Sequence, residues 1–294
     1  MSAHVLWDGK GAIVDLVFVH GLNGHHMDTW SKGKVCWPQQ LLNKDIPQSR
    51  IITWGYEADL VNFVGSASHA SIFMHADNLL TDIGNLRRGC NNRPLIFLCH
   101  SLGGLVVKEA LINANISFHN EDNPRRASIF ENTKGIIFFG TPHRGSPTMS
   151  HADLVSKTAK VVLHKSNERL IHALREESQL LDIQRTRFSA VGKDVKIVCF
   201  SEEREMSVGM IVPLHSAVID GHGVLVSSIP ENHSNMCKFK EGAVGYVRTK
   251  EYLLDMIESF GAGKDLNSSM LLEPDRASDE FEVHRRKTER KSFV

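Results

Sequence analysis

The stretch RPLIFLCHSLGGLVVKEAL, residues 93–111, decides how the rest of the chain is read. An apolar run from Leu95 to Cys99 stops abruptly at His100-Ser101-Leu102-Gly103-Gly104, and a helical pattern begins at once. That order is the strand–turn–helix written G-x-S-x-G, in which a serine sits at the tip of a sharp, strained turn with its hydroxyl held clear of the sheet. Here the five positions read Cys99-His100-Ser101-Leu102-Gly103. The positions two before and two after the serine approach each other across the turn and must be small. Glycine meets that need, and the compact side chain of cysteine meets it at 99. Gly103 and Gly104 let the following helix lie close to the sheet. Its N-terminus directs backbone N–H groups, led by that of Leu102, at an anion forming beside Ser101.

Outward from this turn, short apolar runs alternate with helical patterns. The runs cover 12–21, 50–56, 94–100, 135–142, 195–201 and 223–230. Most are rich in Ile, Val and Phe and apolar on both faces, as in strands of a parallel sheet covered by helices on either side. Helix-length segments fall at about 66–90, 103–116, twice between 150 and 188, and at 243–260. In the last, Tyr246, Leu253, Met256, Ile257 and Phe260 recur with a 3.6-residue period and define one core-facing stripe. The alternation predicts a doubly wound, mostly parallel α/β sheet that binds ligands at the C-terminal ends of its strands. One domain is expected over 1–261. Residues 146–190 form an insertion with apolar positions at helical spacing, read as a peripheral helical pair or cap. The tail from 262, poor in apolar residues, reads as disordered, and its closing basic cluster as a solvated charge run.

Composition narrows the function classes. Of the 294 residues, 34 are Lys or Arg and 34 are Asp or Glu, so a zero formal charge points to neither nucleic acid nor an anionic membrane as partner. Five cysteines without a C-x-x-C spacing suggest reduced thiols in an intracellular compartment rather than a disulfide framework. No apolar stretch reaches the length of a membrane span, and the N-terminus lacks a secretory pattern, so a cytoplasmic protein is expected. The oligomeric state is not legible.

Three further features support the turn at Ser101. The first is FVHGLNGHH, residues 18–26, directly after a predicted strand. Its His20-Gly21 pair leads into a loop whose Leu22 N–H is placed to be a second oxyanion donor beside that of Leu102. A metal-binding reading of His20, His25 and His26 lacks an H-E-x-x-H or carboxylate-rich partner motif. The second is His233, in a polar loop between the last strand and the last helix, where a general base for serine is needed; His215, His222 and His143 are its rivals. The third is an acid after the strand at 195–201 that orients the imidazole: Glu202 comes first, with Glu203, Glu205 and Asp220 as alternatives.

The blocks VFVHGLNGHHMDTW, ITWGYEA, LCHSLGGLVVKEAL, IIFFGTPHRGS, CFSEE and NHSNMCKF together resemble serine esterases related to the serine-active-site-containing protein family. The pattern is also similar to the N-terminal hydrolase-like modules of fungal NACHT-type immune receptors. The resemblance extends from about residue 13 to 258 and implies an α/β-hydrolase fold. It places the nucleophile at Ser101, the acid at Glu202, the terminal histidine at His233 and the His-Gly loop at His20 and Gly21. His143 and Arg144 of the Gly-Thr-Pro-His-Arg-Gly block fall beside the expected cleft, and His100 adjoins it, as substrate-pocket or structural residues. No Walker pattern or repeat array accompanies the domain, which reads as a free-standing hydrolase or an excised module. The expected activity is hydrolysis of a small-molecule or lipid ester through an acyl-enzyme, without metal or organic cofactor. The alternatives are a biosynthetic acyl transfer or cyclisation by the same triad, and a signalling or scaffold module with little catalysis.

Overall fold

In the computed structural model, residues 2–56, 68–143, 183–219, 221 and 223–261 are described. Seven strands form one sheet: β1 (Ser2–Asp8), β2 (Val14–Val19), β3 (Ser49–Gly55), β4 (Leu95–His100), β5 (Thr133–Phe139), β6 (Lys196–Glu202) and β7 (Leu225–Ile229). Their spatial order is β1-β3-β2-β4-β5-β6-β7. β1 runs antiparallel to β3, and every other neighbouring pair is parallel. The doubly wound sheet expected from the alternation is present.

The central strands are buried because helices cover both faces. α1 (Ser68–Leu86), α2 (Gly103–Asn120) and α3 (Pro124–Asn132) lie on one side. There Leu79, Ile83, Val107, Leu111 and Ile129 pack with Val17, Phe97, Phe138 and Cys199 of the sheet. α4 (Val244–Ser259) covers the other face, where Tyr246, Leu253, Met256 and Ile257 join Phe139, Phe200 and the indoles of Trp30 and Trp37. Of the predicted stripe, only Phe260 stays partly buried at the edge of this cluster.

Two elements were not expected. β1 alternates weakly and lies at the sheet edge with Val5 and Trp7 exposed, so it lacks the apolar signature of a buried strand. α3 begins at Asn123, whose side chain accepts from the Arg126 N–H at 3.2 Å, followed by Pro124 at the first helical position. That cap-then-proline order is a legible helix start. The predicted cap falls largely outside the described residues; its final part, 183–190, is helical. The tail from 262 and its basic cluster also lie outside them.

Two buried charged groups in this frame have opposite circumstances. Asp15, fully buried near the start of β2, accepts from Arg50 Nε at 2.9 Å and Nη2 at 2.8 Å, from Arg93 Nη1 at 2.9 Å, and from Arg87 Nη1. These charge-assisted bonds tie β2, β3, the end of α1 and the segment entering β4 into one knot. Lys108, on α2, is 1% exposed, and among the described residues no carboxylate lies within ion-pair distance of it. Its Nζ lies 6.0 Å from the centre of the Phe188 ring.

Candidate active site

The turn after β4 has the predicted strain. Ser101 has φ +51°, an uncommon left-handed conformation for a residue other than glycine, and only 4% of it is exposed. Its N–H donates to the Phe139 C=O at 2.9 Å, fixing the turn to the end of β5, while α2 starts from Leu102. Cys99 faces the core as an ordinary strand residue, paired in register with Val19 and Phe138. Burial raises its thiol well above the usual 9.0. The position with no room is Gly103, where a Cβ would lie 2.3 Å from the His20 carbonyl oxygen and 2.6 Å from that of Val19. Cysteine is thus admitted at 99, and the steric demand of the turn falls on residue 103.

His233 comes from the loop after β7. Its Nε2 lies 3.0 Å from Ser101 Oγ, and its Nδ1 is 3.4 Å from Glu202 Oε2. Both His233 and Glu202 are buried. Glu202 ends β6, and its other oxygen accepts from the backbone N–H groups of Ile211 at 2.6 Å and Val212 at 2.7 Å. Those two donors hold the carboxylate with one oxygen turned to the imidazole. Behind His233, Trp37 Nε1–H donates to the Cys237 C=O at 2.9 Å, anchoring the loop to the aromatic layer. Gly140, with φ +56°, lets β5 end against the imidazole: a Cβ there would lie 3.0 Å from His233 Nδ1.

The His-Gly loop passes directly over the serine. A Cβ on Gly21 would meet Ser101 Cβ at 2.7 Å and the His100 carbonyl oxygen at 2.9 Å, so only glycine fits unless the loop moves. Next to it, among the described residues, no acceptor takes the N–H of Leu22, nor that of Leu102. His20 itself is 1% exposed and serves the loop. Its Nδ1–H donates to the Gly21 C=O at 2.9 Å, its Nε2 accepts from the Tyr56 N–H at 3.3 Å, and Tyr56 Oη donates to the His20 C=O at 3.0 Å. Burial lowers His20 to about 4, which keeps the ring neutral as this bonding requires.

The remaining candidates divide by position. His100 reaches the His233 backbone instead of an open pocket: its Nε2–H donates to the His233 C=O at 3.0 Å. His143 is buried against Phe138, with Nε2 3.9 Å from Cys199 Sγ. His215 and Glu205 are exposed, and Glu203 accepts from Ser228 Oγ at 2.5 Å, away from the imidazole. Asp220, His222 and Arg144 lie outside the described residues. Gly140, Tyr56 and the Ile211–Val212 amides join the site without having been singled out. The positive-φ glycine after a strand was legible in FFGTP, whereas a donated backbone N–H carries no residue-type signal. Among the described residues no group of three His, Cys, Asp or Glu could hold a metal ion, and no helix is long and apolar enough to cross a membrane.

Known proteins share this fold in outline. Protein SERAC1 of Bos taurus is 29% identical over 269 residues, covering 83% of this chain and 39% of that protein. Protein SERAC1 of Homo sapiens is 28% identical over 269 residues with the same coverage. The chain thus spans about two-fifths of the length of these curated relatives. Among solved structures, the mature form of the Bacillus licheniformis lipase BlEst2 superposes with a TM-score of 0.59 at 16% identity, covering 86% of this chain and 97% of that one. A carboxylesterase structure from the Thaumarchaeon Nitrososphaera gargenis gives 0.51 at 13% identity, covering 87% and 96%. The shared architecture is the α/β-hydrolase fold. A family profile described as "Putative serine esterase (DUF676)" matches residues 15–189, well over half of the sequence, and the chain belongs to that family.

Proposed function

We propose that the chain is a serine hydrolase that cleaves a carboxylic ester through Ser101, His233 and Glu202. The observation that carries this reading is the 3.0 Å approach of His233 Nε2 to the hydroxyl of a serine held at positive φ. His233 takes the Ser101 proton as Oγ attacks the ester carbonyl carbon, and the C–O π electrons move onto oxygen. The N–H groups of Leu22 and Leu102 receive that oxyanion. As the tetrahedral species collapses, the ester C–O bond breaks and His233 passes its proton to the departing alcohol. Water, deprotonated by the same imidazole, then attacks the acyl carbon; the bond to Ser101 Oγ breaks, His233 returns its proton to Oγ, and the acid leaves. Glu202, with Oε2 3.4 Å from Nδ1, orients the imidazole and offsets its transient positive charge.

The substrate class is a small-molecule or lipid ester, and every step uses groups of this chain. A fluorophosphonate probe tests the reading, since it reacts with an activated serine. Mapping the labelled peptide should place the adduct on Ser101, and short p-nitrophenyl esters should be turned over. A folded chain that neither labels nor turns over would sink the proposal.

The fit of the His-Gly loop gives a second expected result. Gly21→Ala must push the loop away from Ser101, because the new methyl would overlap Ser101 Cβ. A displacement near 1 Å of an oxyanion donor should lower kcat/KM on short esters by about 10²-fold. Wild-type kcat/KM in a folded Gly21→Ala chain would show that this loop does not contribute to the chemistry.

A further inference from the structure

The residue before Ser101 has no part in the steps above, yet its side chain is committed. His100 closes β4, and its Nε2–H donates to the backbone C=O of His233 at 3.0 Å. The two imidazoles lie side by side, tilted by 42°, with centroids 5.0 Å apart. A carbonyl can only accept, so the proton of a neutral His100 ring is on Nε2. Burial, reinforced by the neighbouring His233 ring, lowers His100 to about 3, and this neutral tautomer is the species present at working pH.

Consecutive residues therefore meet the two ends of one histidine. The Ser101 hydroxyl meets the His233 imidazole, and the His100 imidazole meets the His233 carbonyl. Other anchors of the loop act two or more residues away, as the Glu203 and Arg204 N–H groups do on the Glu231 C=O and Trp37 does on Cys237. We propose that His100 is a positioning residue that ties the His233 peptide to the strand end carrying the nucleophile and so fixes the distance across which the proton moves. This rests on the reading of Ser101 and His233 as nucleophile and base. A base gripped at its backbone and facing its partner is preorganised, and such support decides whether a correct set of residues is also a productive one.

The test compares wild type with His100→Leu, His100→Asn and His100→Gln, using kcat and KM on short p-nitrophenyl esters and the rate of Ser101 labelling by a fluorophosphonate. The leucine cannot donate, and the asparagine amide is too short to reach where Nε2 stands; both should lower kcat and labelling rate by about 10- to 100-fold, with KM changed by less than about threefold. Glutamine carries an amide N–H donor at nearly the reach of Nε2 and should recover most of that loss. Thermal unfolding establishes that each variant is folded, and kcat is counted per folded molecule. A purely structural role would leave that kcat unchanged, and glutamine would then do no better than leucine; either result overturns the proposal while leaving the esterase reading intact. A wild-type chain without labelling or turnover overturns both.

Discussion

Replacing Ser101 by alanine should lower kcat on short p-nitrophenyl esters by about 10⁴- to 10⁶-fold while leaving the chain folded. The loss is large because the alkoxide equivalent is removed altogether, and water bound in its place is neither as close nor as nucleophilic. Folding is spared because the turn is held by backbone: the N–H of residue 101 donates to the Phe139 C=O, and its own C=O accepts from Gly104. Among the described residues, the only side-chain hydrogen bond lost is the one to His233. Removing His233 as well should add little, since the two groups act as a unit and their effects are not additive. Thermal unfolding and ester kinetics on one preparation give both quantities. Turnover near the wild-type rate in folded Ser101→Ala would mean that the hydrolysis occurs elsewhere.

Lys108→Met should make the protein markedly more stable at neutral pH. An ammonium in the apolar layer between α2 and the sheet loses its hydration, and burial lowers Lys108 from 10.5 to about 7, with nearby Cys199 and Glu109 opposing that shift and Arg185 adding to it. The sign follows from linkage. In the unfolded chain the lysine takes up a proton below its ordinary pKa, while the folded chain does so only near 7. Stability is therefore lost progressively as pH falls from above 10 toward 7, and stays reduced below that. The penalty at pH 7 is on the order of 4 kcal/mol. Methionine has a similar length, no charge and a thioether suited to the Phe188 ring. Urea unfolding at pH 7 and pH 10 reads the effect: the variant should gain several kcal/mol at the lower pH and much less at the higher. An equal gap at both values would show that the lysine's charge is not what limits stability.

Much of the scaffold was legible because its signals are local. A buried parallel strand announces itself by continuous Ile, Val and Phe, as in residues 94–99 and 135–139, and the turn at Ser101 by a serine between small residues. The order of serine, acid and histidine along the chain put Glu202 and His233 foremost among many carboxylates and sixteen histidines, and these two side chains lie in line with Ser101. Properties set by neighbours distant in sequence were hidden. β1 is held by pairing with β3 rather than by an apolar pattern of its own. The roles of His20 and His100 depend on which carbonyl each ring nitrogen reaches, and residue type alone carries no signal for that. The small-residue rule of the turn also needed the third dimension: spacing marks 99 and 103 alike, but only 103 faces the β2 backbone.

The Asp15 knot lies at the end of β2 remote from Ser101, where three guanidiniums clamp one carboxylate. Strand ends on the far side are thereby fastened independently of whatever the loops above them do. The molecule has an anchored floor beneath an editable roof: a segment such as the one between Glu202 and Val212 can be exchanged without loosening those strand ends, provided the two amides that grip the carboxylate are kept.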